Sequence, residues 1–158
     1  MNPASVKEIK SALEYLDKKE LLTACLRLAK FKKENKELLT YILFEASDEA
    51  GYIENVKASL ADLFADVNCS NLYFAKKTLR KIVRTANRYI RYSDDAATEP
   101  EILIYTAQKM LALGLNFKKS TALENIYLSL IKRIQKSIFV LHDDLQYDFN
   151  KKLEYLTK

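Results

Sequence analysis

Apolar positions along this chain recur at three- and four-residue intervals, the spacing that lines one face of a helix. Side chains suited to capping mark where the helices begin. Ser5-Val6-Lys7-Glu8 has the form of a capping box and predicts a first helix ending near Leu16. Asp17, followed by Glu20, predicts a second, with Leu16 and Leu21 flanking the cap as a hydrophobic staple. This helix carries Leu22, Cys25, Leu26 and Ala29 on one face and runs out in the polar stretch Lys32–Lys36. A third is predicted from about Glu37 to Ala46. Lys19-Glu20-Leu21-Leu22-Thr23 recurs in it as Lys36-Glu37-Leu38-Leu39-Thr40. One helix plus a turn separates the two copies, which would place the pair antiparallel, as in the two-helix unit of an α-solenoid.

A fourth helix, from about Asp48 to Val67, stripes Ile53, Val56, Leu60, Leu63, Phe64 and Val67 along one side, with Asp48, Glu54, Asp62 and Asp66 on the other. The fifth, about Asn71 to Tyr92, is expected to be capped by Ser70 or Asn68; its stripe is Leu72, Ala75, Leu79, Ile82, Ala86 and Ile90. Ser93–Ala97 reads as a loop. Thr98-Glu99-Pro100-Glu101 then combines a cap, a first-turn proline and a glutamate at the capping position to open a sixth helix. That helix is apolar nearly all round and therefore expected at the centre of the fold. Gly114 supplies its left-handed end. Thr121-Ala122-Leu123-Glu124 is another capping box. The apolar rhythm after it continues past His142, so one long or kinked helix from Thr121 to Leu156, ~54 Å if straight, is expected rather than a clean break at Asp143 or Asp144.

No segment alternates with period two for the length of a strand. The expected fold is all-α: six to eight helices in antiparallel pairs, forming one domain over residues 1–158. The Lys-Glu-Leu-Leu-Thr echo tilts the expectation toward a short α-solenoid-like array over an irregular helical bundle.

Composition agrees. With only two Gly and two Pro in 158 residues, the chain lacks the turn residues of a sheet fold. Its length suffices to bury a core without disulfides. Cys25 and Cys69 read as small core residues, no apolar run is long enough to span a bilayer, and the N-terminus has no secretory h-region. A cytoplasmic location is expected.

The net charge of +5 is modest, but its distribution is uneven. From Val67 to Ser93 there is no acidic residue, while Lys76, Lys77, Arg80, Lys81, Arg84, Arg88 and Arg91 all lie there. On a helix all but Lys76 fall within an arc of about 100° opposite the apolar stripe, with Tyr73 on the same arc and Tyr92 near its edge. Cations repeated at that spacing repel one another. An acidic protein would relieve the repulsion, as would a nucleic-acid backbone, with Tyr73 or Tyr92 stacking on a base. Acidic residues of the fourth helix could also do so from within. Ala75 and Ala86 thin the apolar face too much for a membrane-binding helix.

Catalytic chemistry has little to stand on. His142 is the chain's one histidine. With Asp144 and Asp148, spaced i,i+4, it forms the one cluster that could hold a divalent ion, but the further histidines of metal phosphohydrolases are missing. Two isolated glycines cannot build a phosphate-cradling loop, and no Gly-x-Ser-x-Gly turn is present. Tyr15, Tyr41, Tyr105 and Tyr127 read as packing at core edges.

Three blocks, Cys25–Tyr41, Ser70–Lys77 and Leu141–Tyr147, resemble a family of small all-helical bacterial proteins to which no activity is assigned. The resemblance implies a helical cytoplasmic protein and carries over no functional residue. The function expected is non-catalytic: a scaffold or adaptor that binds a macromolecule through Tyr73, Lys77, Arg80, Lys81, Arg84, Arg88 and Arg91. No cofactor, metal, membrane or small-molecule ligand is expected. An unknown protein is the expected partner. A nucleic-acid backbone binder using the same face is the first alternative, and a divalent-metal enzyme at His142, Asp144 and Asp148 the second.

Overall fold

A computed structural model of the protein describes residues 2–157 and contains, among them, eight α-helices and no strand. They are α1 (Val6–Glu14), α2 (Lys18–Phe31), α3 (Lys33–Thr40), α4 (Glu49–Ala65), α5 (Leu72–Ile90), α6 (Thr98–Ala112), α7 (Thr121–Phe139) and α8 (Asp143–Glu154). A π-helical turn covers Tyr41–Glu45 and a 3-10 turn Phe117–Lys119. The fold is all-α. It divides into two compact units, Met1–Leu43 and Phe44–Lys158.

The first unit is built by local signals. Ser5 and Asp17 each form the complete capping box: Ser5 Oγ accepts from the Glu8 amide and Asp17 Oδ1 from that of Glu20, while both glutamates reach back to the cap amide. α2 and α3 pair, and the repeat has a structural counterpart. Thr23 donates to the Lys19 carbonyl and Thr40 to the Lys36 carbonyl, each at 2.8 Å. The break between them is a single extended residue, Lys32, rather than the expected polar linker. Asn35 closes the turn by donating its side-chain amide to the Leu28 carbonyl, an otherwise orphaned group at the end of α2. No residue from Asn2 to Thr40 is buried. Cys25 is exposed rather than part of a core, and Tyr15 is 91% exposed rather than packed.

The second unit has a true core. α6 lies at its centre, as its apolar circumference predicts: α4, α5, α7 and α8 all pack on it, and Ile102, Leu103, Ile104, Thr106, Ala107 and Met110 are buried. The surrounding helices contribute one stripe each. Val56, Leu60 and Phe64 come from α4, Ala75, Leu79, Ile82 and Ala86 from α5, and Leu130, Ile134 and Ile138 from α7. Burying one of the larger of these side chains, Val, Leu, Ile or Phe, is worth about 1.5–3 kcal/mol. Of the two expected architectures, the packing pairs of this unit are consistent with the helical bundle, with α4, α5, α7 and α8 arranged around α6. Gly114 ends α6 with φ of +65°, as expected.

Four helix starts in this unit differ from expectation. α5 is capped by Asn71, whose Oδ1 accepts from the amides of Tyr73 and Phe74; Asn68 instead accepts from Ser70. Thr98 and Thr121 are the first residues of their helices, not caps. The Thr98 hydroxyl donates instead to Glu49 of α4, a long-range partner that outcompetes the local one. The expected long helix breaks at Val140–His142, and His142 is extended. The side-chain amide of Gln146 donates to the Leu141 carbonyl at 2.8 Å, so a side chain reached from the next helix satisfies the freed backbone. Leu141 stays buried, which is why the apolar rhythm runs on across the break.

One ionic cluster ties three helices of this unit together. Glu101 of α6 accepts from Lys57 of α4 and from Lys152 of α8, each at 2.8 Å, and Lys57 also donates to Glu54 at 2.9 Å. Burial alone would raise the Glu101 carboxyl, but the two ammonium groups outweigh it and hold it below the ordinary range. Burial likewise works to lower Lys57, yet Glu101 and Glu54 hold it above its ordinary value.

Candidate interaction surface

The ridge of α5 is built by the sequence pattern that forms the helix. Its apolar stripe is pulled onto α6 and α4, which turns the opposite side out. Lys77, Arg80, Lys81, Arg84 and Arg91 are exposed, and Tyr73 is 65% exposed. Among the described residues none of these five cations, nor Lys76, is paired with a carboxylate. The acidic side of α4 does not neutralise them: Glu54 pairs with Lys57, and Asp62 and Asp66 are exposed. Acidic side chains outnumber basic ones over the rest of residues 44–157, so the ridge is a segregated feature rather than part of a general basicity.

The seven sequence-identified residues do not behave as one set. Tyr73, Lys77, Arg80 and Arg84 line a groove of about 990 Å³ between α5 and α7. Lys81 and Arg91 are exposed but do not line it. Arg88 is half-buried, with its Nε enclosed and its guanidinium 5.3 Å from the Tyr89 ring, so it is turned into the fold. Tyr92 is buried and cannot stack on a base.

The groove exists because α5 and α7 both rest on α6 while meeting each other only sparingly. Its floor is apolar: Val83 from α5, and Ala122, Ile126 and Leu130 along one ridge of α7. One wall is the cationic side of α5, which Lys76 joins, its Nζ 5.4 Å from the Tyr73 ring. The α7 wall offers the neutral Asn125 and Ser129. Arg133 lies at the end, already committed: its Nε donates to Glu99 at 2.6 Å and its Nη1 to Asn87. The α7 residues are not legible in the sequence, since nothing in their own pattern says what they face. Lys76, off the main arc of α5, lies on the very flank that turns toward α7.

No family model, curated protein or solved structure matches the chain.

The other candidate cluster is open to solvent. His142 Nδ1 lies 3.8 Å from Asp144 Oδ2, with both side chains largely exposed, and Asp148 is exposed too. Among the described residues no group of three or more His, Cys, Asp or Glu side chains is arranged to hold a metal ion. Among them also, no helix is long and apolar enough to cross a membrane.

Proposed function

We propose that this protein is a non-catalytic scaffold or adaptor that holds an acidic protein partner against the exposed cations of α5. The observation that carries this reading is the set Lys77, Arg80, Lys81, Arg84 and Arg91: exposed, aligned and without carboxylate partners among the described residues. Aligned like charges cost a few tenths of a kcal/mol per pair in the free protein. A partner bearing carboxylates converts that cost into complementarity and faster encounter.

A nucleic-acid backbone would meet the same cations and is the competing reading. The apolar floor beside the ridge favours protein, because Val83 and Ile126 gain from leaving water only against an apolar surface, which a phosphate backbone does not present. The test is fluorescence anisotropy with a labelled glutamate-rich peptide, duplex DNA and single-stranded RNA across a salt series. Wild type is compared with Lys77→Glu/Arg80→Glu/Arg84→Glu. We expect the peptide to bind wild type and not the variant, and nucleic-acid binding to vanish by physiological salt. Nucleic-acid binding that persists there and falls with a slope of several log units per log of salt would replace the acidic protein with a phosphate backbone.

A further inference from the structure

We propose that the α5–α7 groove is a cradle for an acidic amphipathic helix of a partner protein. Its apolar stripe would lie on the Val83, Ile126 and Leu130 floor, and its carboxylates along the α5 wall. This rests on the reading of the α5 cations as a partner-binding surface and assigns the form of the partner.

The groove has the length of a short helix. The lining runs from Tyr73 to Asn87 on α5 and from Ala122 to Arg133 on α7. At 1.5 Å per residue that is roughly 20 Å, or about four helical turns of ligand. The groove's backbone chemistry selects a helix over an extended chain. Both walls are helices whose amides and carbonyls are bonded internally, so no strand edge is on offer for an extended peptide to pair with. An extended chain laid on the apolar floor would lose water from its amides and gain no partners in return. A helix satisfies its own backbone and presents only side chains, and thereby completes a layer over α5 and α7 in the way helices pack on helix pairs.

Charge complementarity sets the flanks of the ligand. The walls are unlike: Lys76, Lys77, Arg80 and Arg84 on one side face Asn125 and Ser129 on the other. Arg133 is spent on Glu99 and Asn87 and adds little to the charge open to a ligand. The fitting ligand helix therefore carries Asp and Glu on one flank of its apolar stripe and uncharged polar residues on the other.

The probe is a fluorescein-labelled designed peptide of about 16 residues. It carries Leu at i, i+4, i+7 and i+11 and Glu along one flank; its shuffled isomer has equal charge but no apolar stripe. Both are titrated against wild type, the floor variant Val83→Gln/Ile126→Gln and the wall variant Arg80→Gln/Arg84→Gln, with circular dichroism confirming that each variant is helical. The proposal expects the amphipathic peptide to bind wild type at least about tenfold more tightly than the shuffled one, and to lose that advantage in the floor variant. It also expects both peptides to weaken in the wall variant. Equal binding of the two peptides, sensitive only to the wall variant, overturns the cradle while leaving the cationic ridge as a binding surface. Failure of both peptides to bind at low salt overturns the cradle and the ridge together. Self-association in sedimentation at the assay concentrations, relieved by the floor variant, would assign the groove to a second copy of this chain and also overturn the proposal.

Discussion

Two clusters of cations lie within the same helical unit, and they have opposite fates. Lys57 and Lys152 converge on Glu101, with Lys57 only 17% exposed, and join α4, α6 and α8. Lys77, Arg80 and Arg84 point into the open side of α5 and have no such partner among the described residues. The first cluster is explained by the fold alone, since its charges are spent on one another. The second is not, because folding gains nothing from aligning like charges. That contrast separates cations that stabilise the protein from cations left available to something else.

The largest expected effect comes from breaking the spent cluster. Glu101→Gln leaves Lys57 enclosed with only Glu54. A fully buried pair costs about 3–5 kcal/mol to break, which partial exposure should reduce to roughly 1–2 kcal/mol here, read as a lower urea midpoint. The pH dependence carries the same signature. The Glu101 carboxyl titrates below its ordinary value of 4.5 when folded, so its contribution is present above that pH and is lost as pH falls through the folded value. Lys57 titrates above its ordinary 10.5, so its contribution is full below that pH and is lost as pH rises through the folded value. Wild type should therefore lose more stability in acid than Glu101→Gln does.

A smaller effect of opposite sign is expected at the ridge. Arg80→Gln/Arg84→Gln should leave the urea midpoint unchanged or raise stability by a few tenths of a kcal/mol, as repulsion along α5 is relieved. A loss of a kcal/mol or more would mean that the ridge is structural and the contrast false. The smallest effect is expected at α8. Asp144→Asn/Asp148→Asn should leave the melting temperature unchanged with or without Mg²⁺, Mn²⁺ or Zn²⁺. A rise with metal in wild type that the variant lacks would restore the metal-site alternative.

What the sequence made legible was what neighbours in the chain decide. The capping boxes at Ser5 and Asp17 form as written because both partners lie within one turn. The central position of α6 follows from residues that are apolar all round, since no single-faced packing could bury them. Distant partners decided the rest. Thr98 carries a capping signal equal to that of Ser5, but Glu49 arrives from another helix and takes its hydroxyl. The break before α8 was hidden because Leu141 keeps the apolar rhythm while the backbone turns. At the site, the periodicity of α5 revealed an aligned ridge. It could not reveal that Arg88 turns inward, that Arg133 is held by Glu99, or that Ile126 and Leu130 floor a groove. Those facts depend on which helix α6 sets beside which.

The most direct test of the unspent ridge is to map where an acidic ligand lands. In a ¹H–¹⁵N titration with the one-flank acidic amphipathic peptide, the account predicts that perturbed amides cluster on residues 73–87 and 122–133. Shifts centred instead on other basic stretches, such as Lys118-Lys119 or Lys32-Lys33, or spread evenly over the exposed lysines, would contradict it.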